Sequence, residues 1–170
     1  MNVIEELFGN LATFVEYAPG VDTNKAMVDY LPSARSARKN IESIISSAVY
    51  VTIVKSQQGD MLDALRAAMA NRTLAAQLVF DSISRRKAGT DIYKYEIEGM
   101  QRAYMENYFA AMDNLIQQLM QGELKEGSPA KLWKSARYSR LLDECQLRSA
   151  DEFDLIYPID LSYLFFFRTV

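Results

Sequence analysis

The chain has 170 residues, 49% of them hydrophobic and 24% charged, which is enough apolar material for one domain with a real core and excludes disorder along its whole length. Nineteen Lys plus Arg against 22 Asp plus Glu leave a net charge of −3, so no global field draws the chain to nucleic acid or anionic lipid, and no specific nucleic-acid recognition is expected. Histidine is absent, and with it every Ser-His-Asp or Cys-His arrangement and every His-containing zinc or di-iron site.

The first predicted helix runs from Val3 to Tyr17, with Ile4, Leu7, Phe8, Leu11, Phe14 and Val15 on one face and Gly9 as a weak point. Ala18 to Asn24 reads as a loop. Pro32 then opens a second helix of about 25 residues, because its fixed φ suits a first helical turn. That helix carries Ala37, Ile41, Ile44, Ala48 and Val51 as a stripe, flanked by Ile45, Val49 and Ile53, and meets no breaker before Gln57-Gln58-Gly59. A third helix spans Asp60 to Lys87 on Leu62, Leu65, Met69, Thr73, Ala76, Phe80 and Ile83, and Arg85-Arg86-Lys87 complements the negative end of its dipole.

The fourth helix, Asp91 to about Gln121, is the most regular, with a seam of Tyr93, Ile97, Met100, Tyr104, Tyr108, Ala111, Leu115 and Leu119. A second row, Met105, Phe109, Met112 and Ile116, makes its C-terminal half apolar on two sides; Met105, Phe109 and Met112 are therefore expected to meet a partner. Ser128 and Pro129 start a helix through Trp133 to about Cys145, and Ser149-Ala150-Asp151-Glu152 is a capping box for a short helix before Pro158. The expectation is an all-α bundle of four to six helices over 1–157, followed by an extended apolar arm over 158–170.

Within the arm, alternation sends Leu161, Tyr163, Phe165 and Phe167 to one side and Asp160, Ser162, Leu164 and Phe166 to the other, so its end is apolar on both. An exposed run of Leu164, Phe165, Phe166 and Phe167 is an aggregation hazard, so a covering surface is expected. Leu161, Tyr163, Phe165, Phe166 and Phe167 are the candidate contacts, docking by strand-like pairing on a neighbouring subunit or folding back on the helical body.

Chemical candidates are few. The acidic groups Glu5/Glu6, Asp143/Glu144 and Asp151/Glu152/Asp154 read as dipole-complementing surface charge. Phosphate-binding loops and nucleophile elbows are missing. Of two basic groups, Arg35/Arg38/Lys39 and Lys131/Lys134/Arg137/Arg140, the second is the better phosphate candidate, yet its side chains fan over about half a helix and read as a solvated face. Cys145, near Leu141, Leu142 and Leu147, reads as a small buried apolar residue and, as a single thiol, fits a reducing compartment. The start Met1 to Glu6 lacks the cations of a signal peptide, and no apolar run approaches the roughly 18 to 20 residues of a membrane span. No catalytic site, cofactor, metal or membrane partner is expected.

Leu7-Phe8-Gly9-Asn10-Leu11 with Phe14 to Gly20, Leu65 to Asn71, and the closing Pro158 to Val170 together resemble tailed-phage or prophage head-tail connector proteins. The resemblance implies a small helical structural subunit that packs with copies of itself into a ring and meets other virion proteins such as portal or tail components, in the virion or host cytoplasm. It implies no catalytic residue. The alternative from the residues alone is a cytosolic helical binding or regulatory module that oligomerises.

Overall fold

The computed structural model describes residues 3–18, 20–22, 24–56, 59–87 and 94–136. Among them the chain is all helical: α1 (Val3–Phe8), α2 (Leu11–Tyr17), a 3₁₀ turn (Met27–Tyr30), α3 (Leu31–Ile45), α4 (Ser47–Ser56), α5 (Asp60–Lys87), α6 (Lys94–Gln121) and α7 (Pro129–Ser135). The bundle expected from the sequence is present. It has more pieces because two predicted helices are each broken once.

The first break is at Gly9. Its φ of +74° is left-handed, which an L side chain rarely adopts, and Asn10 restarts the helix by accepting the Thr13 backbone N–H at 2.9 Å. The resulting corner folds Phe8 edge-on against Phe14, centroids 5.0 Å apart, and Phe14 against Tyr30. Short helices leave most of their terminal carbonyls unpaired, and α5 supplies the donors. Arg66 Nε donates to the Leu7 carbonyl at 2.9 Å, and Asn71 Nδ2 donates to the Tyr17 carbonyl at 3.2 Å. Arg66 and Asn71 thus clasp the ends of α1 and α2 from one helix.

The second break corrects the expected continuous helix from Pro32. Ser46 sits at φ +73°, ψ +152°, a region that is almost glycine's alone and costs a residue with a Cβ on the order of 1–3 kcal/mol. Ser46 serves both sides: its N–H donates to the Glu42 carbonyl, and its hydroxyl and carbonyl accept from Val49 and Tyr50 of the next helix. The break turns the apolar face. Beyond it Ala48 is exposed and Val51 only partly buried, while Val49, Tyr50, Ile53 and Val54 enter the core. Consecutive serines, whose hydroxyls compete for nearby backbone groups, are the local reason the helix can part here.

α5 and α6 form the long hairpin on which the rest is laid. Leu62, Leu65, Met69 and Leu74 of α5 and Tyr108, Met112, Leu115, Ile116 and Leu119 of α6 are buried in one core with α1–α4 and α7. The Ser128 hydroxyl accepts the Lys131 N–H, Pro129 occupies the first turn, and Trp133 is wholly enclosed where α7 packs on α4 and α6. Gly122 permits that closure. A Cβ there would lie 2.8 Å from the Ala130 Cβ and 3.0 Å from the Gln118 carbonyl.

Candidate assembly surface

The apolar stripes of α5 and α6 continue past the point where other helices cover them. Of the large apolar side chains left exposed among the described residues, all but Val28 and Leu124 lie at this end of the hairpin: Val79, Phe80 and Ile83 on α5, Tyr95 and Met100 on α6. Phe80 is 54% exposed and Tyr95 68%. Val28 belongs to the 3₁₀ turn that packs on α5. Sequence periodicity names Phe80, Ile83, Ile97 and Met100 as core, but periodicity records only that a face is apolar, not that a neighbour reaches it.

Beside this patch is a cleft of about 130 Å³ lined by the 20–30 segment on one side and by Leu74, Leu78, Ile97, Met100 and Tyr104 on the other. Its walls are close. A Cβ on Gly20, whose φ is +98°, would lie 2.5 Å from the Tyr104 hydroxyl. The polar rim is tied to the body: Lys25 Nζ pairs with Asp81 Oδ1 at 2.6 Å, Gln77 Nε2 donates to the same oxygen, and the Ser33 hydroxyl donates to Gln77 Oε1 at 2.8 Å. The Tyr30 hydroxyl donates to the Asp22 carbonyl at 3.2 Å, and the Asp22 side chain accepts from the Asn24 N–H. Burial raises the Tyr30 and Tyr104 hydroxyls above the usual phenol value. With carboxylates at Asp22 and Asp81 and one ammonium at Lys25, the cleft is amphipathic and net acidic.

The sequence-predicted partner row divides. Met105 and Phe109 are partly buried and packed on the core, and Arg72 reaches the Met105 sulfur at 3.2 Å. Met112 is wholly enclosed, which corrects its placement on a partner surface: the chain's own helices cover the second apolar side of α6 at that level. Leu161, Tyr163, Phe165, Phe166 and Phe167 lie outside the described residues, as do Arg137, Arg140 and Cys145.

Neither basic group forms an anion site among the described residues. Arg38 bridges Glu6 at 3.1 Å and Glu42 at 2.8 Å and lies 4.7 Å over the Tyr50 ring, so it ties α1, α3 and α4 together, while Lys131 and Lys134 are exposed. No cluster of three metal-binding side chains occurs among the described residues, and none of their helices is long and apolar enough to cross a membrane. Sequence reasoning missed the cleft, because nothing in the pattern joins Asp22 to Asp81; the turn glycine at Gly20 was the one local signal of a close approach. No family model, curated protein or solved structure matches the chain.

Proposed function

We propose that the chain is a non-catalytic assembly subunit of head-tail connector type, which packs with copies of itself into a ring and joins other virion proteins such as portal or tail components. The exposed apolar end of the α5–α6 hairpin carries this reading. Val79, Phe80, Ile83, Tyr95 and Met100 stand exposed at one end of the hairpin, apolar exposure of the kind that marks a protein contact, and tyrosine, phenylalanine and methionine are what such contacts favour. The apolar run Leu164 to Phe167 gives the same chain a second adhesive element.

Sedimentation velocity on the full chain tests the reading. The expected result is a species well above 19.4 kDa that grows with concentration, and closed rings in electron micrographs of that species. A chain that stays at 19.4 kDa up to hundreds of micromolar overturns it. Substituting Phe80 and Ile83 together by glutamate is expected to abolish association with the melting transition retained.

A further inference from the structure

We infer that Ser46 is the hinge of a two-state element, in which α3 and α4 exchange between the bent pair and one straight helix from Leu31 to Ser56. The backbone carries the first part of the argument. Ser46 is the one residue other than glycine with a positive φ among the described residues, and at φ +73°, ψ +152° it is strained. Yet the helical ladder almost passes through it. The Ser46 N–H donates to the Glu42 carbonyl at 2.9 Å and the Tyr50 N–H to the Ser46 carbonyl at 3.1 Å, both the four-residue bonds of an unbroken α-helix. Straightening adds the bonds between them, from the N–H groups of Ser47, Ala48 and Val49, and relieves Ser46. No proline or glycine lies between residues 33 and 58 to oppose it.

The side chains supply the second part. At 100° per residue on one continuous helix, Ala48 and Val51 prolong the face that α3 buries through Ala37, Ile41 and Ile44. Val49, Tyr50, Ile53 and Val54 then point to roughly the opposite side. The segment thus has two apolar faces, and the bend uses one of them: Val49, Tyr50, Ile53 and Val54 are buried while Ala48 is exposed. Topology allows the other. Ser33 of α3 bonds Gln77 of α5, and Asn40 lies against Arg72, so the two helices run antiparallel. A straight continuation of α3 therefore ends beside the start of α5 at Asp60, and the connection between them stays short.

Each state has its own gain. The bent one buries the apolar side of α4, stacks Arg38 at 4.7 Å over the Tyr50 ring and covers α7, where Trp133 is enclosed. It also confines the Tyr50 hydroxyl without a hydrogen bond. The straight one returns that hydroxyl to water, frees Ser46 of strain, completes the ladder and uncovers α7 on its α4 side. Opposed terms of this kind make a packed element bistable.

The full chain tests the hinge, with Trp133, its single tryptophan, as a built-in probe. Acrylamide quenching of Trp133 reads the loss of α4 from α7. Spin labels on Lys39→Cys and Lys55→Cys, exposed positions, in a Cys145→Ser chain read the shape: their backbones are about 24 Å apart along a straight helix and closer across the corner. The wild type is expected to show the shorter distance with a second population near the longer one. Ser46→Gly fits the bent backbone and weakens a helix interior, so it is expected to lower that population and the quenching at least about fivefold. Ser46→Ala with Ser47→Ala is expected to raise both, with the α4 amides still protected from hydrogen exchange. Quenching that rises as α4 protection is lost overturns the hinge, because α4 then unfolds instead of rejoining α3. Equal distances and equal quenching in the wild type and Ser46→Gly also overturn it, whether or not the alanine variant folds, and make Ser46 a static corner.

Discussion

At one end of the α5–α6 hairpin, Leu65, Met69, Leu115 and Leu119 are sealed by α3, α4 and α7; at the other, Phe80, Ile83 and Met100 continue the same stripes into solvent. The residue types hardly differ. What differs is the length of the covering helices: α1 and α2 are one or two turns each, α3 is 15 residues, α4 is 10 and α7 is 7, whereas α5 and α6 are 28 each and extend about 42 Å. An apolar stripe therefore stabilises the monomer only where short helices lie across it, and beyond that point the same chemistry is available to a partner.

Substitutions at the two ends should separate these roles. Trp133→Ala, at the sealed end, is expected to cost about 3–5 kcal/mol in urea unfolding and Leu115→Ala about 2–5, because both leave cavities among enclosed side chains. A loss below about 1 kcal/mol at Leu115 would mean that this end too is open. The buried phenols give the next effect. Burial, opposed by the nearby Arg38 charge, pushes Tyr50 up to about 12, and burial opposed by Arg72 does the same for Tyr108. Their protons are held more tightly in the folded chain than in the unfolded one, where phenols titrate near 10. Stability is therefore complete below about pH 10 and lost as pH rises through about 12, by on the order of 2 kcal/mol for each tyrosine. Tyr50→Phe should remove half of that alkaline loss, and since the Tyr50 hydroxyl makes no hydrogen bond to the protein, the variant should be no less stable at pH 7.

Smaller effects test how the sealed end is fastened. Arg66→Met keeps the aliphatic stem but loses the donor to the Leu7 carbonyl, with an expected cost of about 1–2 kcal/mol. Ser46→Gly is expected to stabilise the chain by about 1 kcal/mol, since glycine adopts φ +73° freely and replaces a capping serine at a cost of a few tenths. At the open end Phe80→Gln should change unfolding free energy by less than about 0.5 kcal/mol. A larger loss there would make the patch part of the monomer's core.

The sequence carries the helical frame where periodicity and caps agree. α5 begins at Asp60 and runs to Lys87, and the Ser128-Pro129 start of α7 is observed as a capped first turn. It hides the breaks. Ile45-Ser46-Ser47-Ala48 has no proline or glycine; the serines let the helix part, and the apolar residues that α4 buries against its neighbours add the reason for a corner at Ser46. Periodicity also overstates the core at Phe80 and Met100 and assigns Met112 to a partner, because one sequence does not say how far each helix is covered. Arg66 and Asn71 are invisible as clasps for another reason. Their partners are backbone carbonyls, which leave no side-chain pattern to read.

Those clasps also set the order in which the chain can mature. The carbonyls of Leu7 and Tyr17 are translated first, yet their donors on α5 follow 59 and 54 residues later. Helices of six and seven residues are too short to persist alone in water. The N-terminal corner of the protein must then wait, unformed, until the Arg66 and Asn71 turns of α5 have been synthesised, although it is the first part made.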